Sequence, residues 1–166
     1  MGDKMIKMTD GKILEQTIEQ TIENLKEMSK KILTNLKFVS PVFFPISDRT
    51  ILTPIFLDFS SEEKKDATIT TLKTLLTKTP QIKGYLLITE NWQITAKKET
   101  PKTKPSTSPD RKECLTCTTI MRDGSKKIII TPFNRTETGI IIFDKEITIE
   151  NNDVQGEFAT LFRGEK

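Results

Sequence analysis

The sequence predicts a single-domain α+β fold, in which one antiparallel sheet of about five to six strands carries two helices on one face. Two segments have the apolar periodicity of amphipathic helices, and six others have the alternation and turn boundaries of short strands. Their order is α-β-β-α-β-β-β-β, which is typical of one sheet with helices packed on it. With 166 residues, the chain is near the usual size of one domain and can bury a core without disulfides or metals.

The first helix is predicted over residues 11–37, because apolar residues recur there at helical spacing. The apolar stripe consists of Leu14, Ile18, Ile22, Leu25, Ile32 and Leu36, with Met28 and Ser29 where it drifts. We expect this stripe to pack on the protein's own sheet. Its spacing is also close to a heptad repeat, so packing against a second copy remains the alternative.

Two short extended segments, residues 39–46 and 51–59, follow this helix and contain prolines. Because proline lacks the N–H that a sheet ladder needs, we expect edge strands or strand ends here, joined as a hairpin by a polar turn. A second helix is predicted over residues 60–79. Ser60 or Ser61 would cap this helix. Ser60 as the N-cap fits a capping box, in which Glu63 reaches back to it.

The rest of the chain is predicted to be a meander of strands with one flexible loop. The strands cover residues 82–97, 112–121, 127–133 and 139–143. An Asp-Gly turn joins the second strand of the meander to the third. The loop over residues 99–109 is rich in Pro, Thr and Lys, and the tail over residues 147–166 either adds one more strand or lies loosely on the surface.

Composition narrows the chemistry that the chain can perform. It contains no histidine, which removes the commonest general base and the commonest metal ligand. The formal net charge is +3, and a nucleic-acid-binding protein usually concentrates more positive charge than this. The first residues lack the apolar region of a signal peptide, and no apolar run is long enough to span a bilayer. We therefore expect a cytoplasmic protein without a membrane segment.

A polar cluster is predicted if two consecutive strands of the meander are neighbours in the sheet. In the first of these strands, Glu90 lies in a row that is otherwise apolar, where a carboxylate is costly unless it is paired. The row consists of Leu86, Ile88, Glu90, Trp92 and Ile94. By the same alternation, Arg111 and Glu113 share one face of the following strand. Asp110 and Arg135 could join the cluster from strand ends.

Two interpretations of this cluster compete. In the first, which we favour, arginine and carboxylates form a structural network of bidentate hydrogen bonds that fixes the strand register. In the second, Glu90, Asp110 and Glu113 form a paired-carboxylate site for a metal ion or for acid–base catalysis. The sequence contains none of the common catalytic or phosphate-binding motifs, so we assign no cofactor and no metal.

Two further features have simple interpretations. Cys114 and Cys117 spell a CxxC motif, but on a strand residues i and i+3 point to opposite faces, and one such pair supplies two zinc ligands at most. We expect two reduced, partly buried thiols. The basic loop from Lys97 to Lys104 lacks aromatic residues for base stacking, so weak nucleic-acid binding there is kept as a second alternative.

A longer motif runs through the polar cluster. It begins with Glu90-x-Trp92, continues through a polar loop with prolines to Pro-Asp-Arg-x-Glu at residues 109–113, and ends with Arg135. This pattern resembles a group of small α+β proteins from phages and microbial genomes, in which alanine usually stands at the position of Asn91. The group has no known activity, so the resemblance supports the importance of the polar cluster without assigning a reaction to it.

The sequence therefore favours a non-catalytic binding or assembly protein. The long first helix is the candidate interface, and a homodimer is left open. A protein partner is favoured over nucleic acid, and no membrane partner is expected. The first alternative is a carboxylate- or metal-dependent enzyme centred on Glu90, Asp110 and Glu113.

Overall fold

The computed structural model describes residues 11–48, 50–94, 111–151 and 161–162. Within these ranges the chain forms two helices and one antiparallel sheet of seven strands, which confirms the predicted fold class. The elements are α1 (Gly11–Leu36), β1 (Val42–Ile46), β2 (Ile55–Phe56), α2 (Glu62–Lys78), β3 (Gly84–Ile94), β4 (Arg111–Met121), β5 (Lys126–Arg135), β6 (Ile141–Phe143) and β7 (Ile147–Glu150). The strand order is β2-β1-β3-β4-β5-β6, and β7 also pairs with β5.

The two central strands, β3 and β4, have 11 residues each and pair along their whole length. In this register Glu90 lies opposite Leu115, and Tyr85 lies opposite Ile120. The turn from β4 to β5 contains Gly124 at a φ of 102°, a conformation that residues with a side chain rarely adopt. Asp123 accepts a hydrogen bond from the main-chain N–H of Ser125 and closes the turn.

The helices pack on opposite faces of the sheet, so the predicted arrangement on one face is wrong. Leu72 and Leu76 of α2 share a buried cluster with Tyr85. Leu33 of α1 belongs to a second cluster with Leu86, the next residue of β3, whose side chain points to the other face. The cause is that β3 is apolar on both faces over residues 85–88, as in strands covered on both sides.

The buried face of α1 also differs from the predicted stripe. Lys26, Ser29 and Leu33 are buried, whereas Ile32 and Leu36 are exposed at the surface. Lysine at a buried position is tolerated because its ammonium group forms ion pairs, which are described below. The later part of the apolar stripe therefore does not cover the sheet.

The two segments with prolines were predicted to be edge strands or strand ends. This is confirmed for β2, which is the edge strand, whereas β1 is an inner strand between β2 and β3, and Pro45 stands one residue before its end. The carbonyl of Pro45 accepts a hydrogen bond from the N–H of Leu52, so the main chain of Pro45 faces away from β3. Its missing N–H therefore removes no hydrogen bond between β1 and β3.

The N-cap of α2 is Ser61, one of the two predicted caps, and not Ser60, which the capping-box pattern favoured. The hydroxyl of Ser61 accepts the N–H of Lys64, and Ser61 has an extended backbone. Ser60 instead donates its N–H to the carboxylate of Asp58 in a local turn, which shifts the helix start by one residue.

The predicted tail is partly described. β7 adds a strand at its start, which agrees with one of the two predicted outcomes for residues 147–166. The predicted flexible loop over residues 99–109 lies outside the described residues. Among the described helices, none combines the length and the apolar character needed to cross a membrane.

Candidate functional site

Three residues of the predicted polar cluster converge on the sheet face that α1 covers. Strand alternation and register set this convergence, because Glu90 faces Leu115 on β4, and Glu113 faces Phe133 on β5. Arg135 follows Phe133 by two residues and therefore points to the same face. The cluster is about one-quarter exposed, with side-chain exposures of 21% for Glu90, 19% for Glu113 and 31% for Arg135.

The guanidinium group of Arg135 binds both carboxylates and a main-chain carbonyl. Its Nε donates to the two carboxylate oxygens of Glu113 at 2.9 and 3.1 Å, and its Nη2 donates to Glu90 Oε2 at 3.0 Å. Its Nη1 donates to the carbonyl oxygen of Lys37 at 2.8 Å. The guanidinium carbon also lies 5.3 Å from the centre of the Phe133 ring, within the range of a cation–π contact.

Glu90 and Arg135 together hold the chain where it leaves α1. Lys37 has a φ of 70°, the left-handed conformation that commonly ends a helix. Arg135 binds the carbonyl of Lys37, and Glu90 Oε1 accepts the N–H of Val39 at 3.0 Å. The network of Glu90, Glu113 and Arg135, which we call the arginine clasp, therefore links three strands to the end of α1.

The chemistry of the clasp is that of a charge-assisted hydrogen-bond network. Arginine stays protonated at all relevant pH values, so it can neither accept nor supply a proton. Both carboxylates are already hydrogen-bonded to it. Within the described part of the chain, no group of three or more His, Cys, Asp or Glu residues is arranged to hold a metal ion. The side chain of Arg111 and all of Asp110 lie outside the described residues.

Both cysteines are buried and free. Cys114 and Cys117 point to opposite faces of β4, as their spacing predicts. Burial raises the pKa of the Cys114 thiol to about 11 and that of Cys117 to about 12, so both remain protonated near neutral pH. The predicted basic loop from Lys97 to Lys104 lies outside the described residues.

A second ionic group lies beneath α1. Lys26 Nζ is 2.6 Å from Glu146 Oε1 and 2.8 Å from Glu23 Oε1. Burial opposes the charge of Lys26, but its hydrogen bonds with Glu146 and Glu23 outweigh burial and raise its pKa. This group ties α1 to the connection between β6 and β7.

An apolar groove that the sequence did not predict lies between the C-terminal half of α1 and strands β1 and β2. The groove has a volume of about 420 Å³. Large apolar side chains line it while remaining exposed, namely Met28 (54%), Ile32 (38%), Leu36 (61%), Phe38 (57%) and Phe56 (73%). Natural monomers seldom expose so many large apolar side chains together unless the surface has a function. The apolar stripe of α1 was the sequence feature that could have revealed the groove, because its later residues, Ile32 and Leu36, are not covered by the sheet.

The groove has very little polar character. Its remaining lining residues are Leu25, Ser29, Val39, Ser40, Val42, Phe44, Pro54 and Ile88. Among the described residues that line the groove, two carry a polar side chain, Ser29 and Ser40. The hydroxyl of Ser29 already donates a hydrogen bond to the carbonyl of Leu25. No charged side chain is among the described residues that line it. The groove can therefore bind apolar groups but can orient them only by shape.

The fold and the clasp define a small α+β protein, whose antiparallel sheet is covered on both faces and whose first helix is tied to the sheet by an arginine–carboxylate network. The chain belongs to the family of bacteriophage lambda protein ea47, whose model matches residues 4–163. This membership agrees with the resemblance to phage proteins. Comparison with curated proteins found no match, and neither did comparison with solved structures.

Proposed function

We propose that the protein is a non-catalytic assembly protein that associates with a second copy of itself through the apolar groove. The observation that carries this proposal is the exposure of Met28, Leu36, Phe38 and Phe56 around one concave surface. Water contact with such a surface is unfavourable, so covering it with apolar groups from a partner lowers the free energy.

The chemistry of the groove favours a protein occupant over a small metabolite. Sites for small molecules usually combine an apolar wall with a few convergent polar groups that fix the orientation of the ligand. Here the polar lining consists of two serines, and one of them, Ser29, is bonded to its own helix. An occupant must therefore be apolar and uncharged over its contact area, as are the side chains on the rim of the groove itself.

The exposed area fits a weak dimer. The five large exposed side chains around the groove leave roughly 570 Å² open, taking about 200 Å² for each large side chain. Two copies that covered each other's groove would bury at most about 1,100 Å² in total, near the lower limit of specific interfaces. We therefore expect a reversible dimer with a dissociation constant in the micromolar range.

The experiment is sedimentation velocity over protein concentrations from about 1 to about 200 μM, a range that brackets a micromolar dissociation constant. We expect the mean mass to rise from that of a monomer to that of a dimer. Phe56→Ser should raise the dissociation constant at least tenfold, because buried aromatic side chains dominate interface energies. The matched control is Ile142→Ser, a similarly exposed apolar residue of β6 far from the groove.

Two outcomes would contradict self-association through the groove. One is a monomeric mass over the whole concentration range. The other is a dimer that Phe56→Ser and Ile142→Ser weaken equally, which would assign the interface to another surface. The alternative of a carboxylate-dependent enzyme gains no support from the clasp, because Arg135 already occupies the facing oxygens of Glu90 and Glu113.

A further inference from the structure

We infer that Phe38 is an anchor side chain of the association surface, and that Glu90 and Arg135 are positioning residues that fix its direction. This inference rests on the proposed function, since it assigns a task within the same groove. It connects the polar cluster, which the sequence singled out, with the groove, which the sequence did not reveal.

The main chain is held on both sides of Phe38. On its N-terminal side, the carbonyl of Lys37 accepts a 2.8 Å hydrogen bond from Arg135. On its C-terminal side, the N–H of Val39 donates to Glu90 at 3.0 Å. Glu90 and Arg135 are also bonded to each other at 3.0 Å, so the two fixed points belong to one unit.

Phe38 itself is not held by core packing. It belongs to neither buried cluster among the described residues, it is more than half exposed, and its side chain lines the groove. Its direction therefore depends on the main chain of residues 37–39. Lys37 is in the left-handed conformation, and the N–H of Lys37 bonds to the carbonyl of Leu33 as the helix ends.

An exposed aromatic side chain on a fixed main chain is well suited to binding. Association normally costs free energy because flexible segments and side chains become ordered at the interface. A side chain whose backbone is already fixed loses less freedom, so the same contacts give a tighter complex. Large aromatic side chains near the centre of an interface are also the residues that most often dominate its energy.

Ending a helix does not require such an arrangement. A left-handed residue at the helix end can close the last turn with main-chain hydrogen bonds alone. Here two charged side chains from β3 and β5 bind the two peptide groups that flank a single exposed phenylalanine. Stability alone gives no reason for that residue to be apolar, whereas an interface does.

The test compares three variants in the full-length protein. Phe38→Ala removes the anchor and leaves both main-chain hydrogen bonds. Glu90→Ala removes the acceptor of the Val39 N–H together with one of the two carboxylate partners of Arg135. Glu90→Gln is the conservative variant, because its amide oxygen can still accept the Val39 N–H. Sedimentation measures the dimer dissociation constant, and amide hydrogen exchange measures the protection of the Val39 N–H at a concentration where the protein is monomeric.

We expect Phe38→Ala to raise the dissociation constant at least tenfold while Val39 stays protected. Glu90→Ala should increase the exchange rate of the Val39 N–H at least tenfold and raise the dissociation constant several-fold. In Glu90→Gln, the exchange rate and the dissociation constant should both lie much closer to the wild-type values. Loss of Val39 protection with an unchanged dissociation constant would overturn the positioning role. An unchanged dissociation constant in Phe38→Ala, with a weaker dimer in Phe56→Ser, would overturn the anchor and leave the proposed function standing. A monomeric wild-type protein would instead refute the proposed function, and the inference with it.

Discussion

Replacing Arg135 by methionine should destabilise the protein by about 2–3 kcal/mol, an amount between those for surface and buried ion pairs. Methionine keeps most of the apolar stem of arginine but removes every donor. The substitution leaves Glu90 and Glu113 as neighbouring negative charges on one sheet face, and it leaves the carbonyl of Lys37 without its bond from Arg135.

The magnitude follows from the burial of the clasp. Exposed ion pairs contribute at most about 1 kcal/mol, whereas breaking a buried pair costs about 3–5 kcal/mol. The three side chains are between 19% and 31% exposed, so water screens part of the charge, and the expected cost of about 2–3 kcal/mol lies between these two values. A double-mutant cycle of Arg135→Met with Glu90→Gln should give a coupling energy of about 1 kcal/mol, because the two residues are in direct contact.

The assay is urea unfolding followed by far-ultraviolet circular dichroism, at a protein concentration below the range of dimerisation. Lys127→Met is the matched control, since Lys127 is an exposed cation on the same strand and should change the unfolding free energy by less than about 0.5 kcal/mol. Equal effects of Arg135→Met and Lys127→Met, with no coupling to Glu90→Gln, would refute the structural interpretation of the clasp.

Three other predictions concern parts of the molecule away from the clasp. Cys114 and Cys117 should not react with a thiol reagent in the native protein at pH 8 but should react once urea unfolds it. Burial raises the pKa of Cys114 to about 11 and that of Cys117 to about 12. Their contribution to stability is therefore complete below about pH 8.5 and is lost as the pH rises toward 11, which lowers the midpoint of urea unfolding. A midpoint that stays constant up to about pH 10.5 would contradict this. Lys26→Met should change the unfolding free energy by less than about 1 kcal/mol, because water can hydrate the partially exposed carboxylates of Glu146 and Glu23. A loss above about 3 kcal/mol would mean that these ion pairs are essential for stability. Gly84→Ala should lower the free energy of unfolding by about 1–3 kcal/mol, because the added Cβ would lie 2.7 Å from the main-chain oxygen of Ile120 on the neighbouring strand. An unchanged unfolding free energy in the same assay would show that β4 can move to make room.

Local pattern predicted both helices and six of the seven strands of the described fold. The period of the apolar residues gave α1 and α2 to within about two residues, which is the usual uncertainty of helix ends. The Asp-Gly pair predicted the turn between β4 and β5. Alternation predicted that Glu90 shares a face of β3 with Leu86 and Ile88, and that Glu113 shares a face of β4 with Arg111. These features depend on residues that are close in sequence, so the sequence specifies them directly.

Long-range partners could not be predicted in the same way. Arg135 is 45 residues from Glu90 and 98 from Lys37, and their contacts depend on strand register and on the position of α1. The alternation of one strand face suggested Arg111 as the cation of the cluster together with Glu90, and Arg135 only as an addition. In the described structure, Arg135 is the residue that binds both carboxylates.

The sequence by itself determined the two helices, most of the strands, the alternation of charged and apolar residues within each strand and the absence of histidine chemistry, because these follow from residue identity and local periodicity. Only the tertiary structure decided which side of the sheet each helix covers and which apolar residues stay uncovered. Leu33 and Ile32 are adjacent in one amphipathic helix, yet Leu33 is buried against the sheet while Ile32 lines the open groove. An apolar residue is driven to leave water, but the surface that covers it is set by how the elements pack.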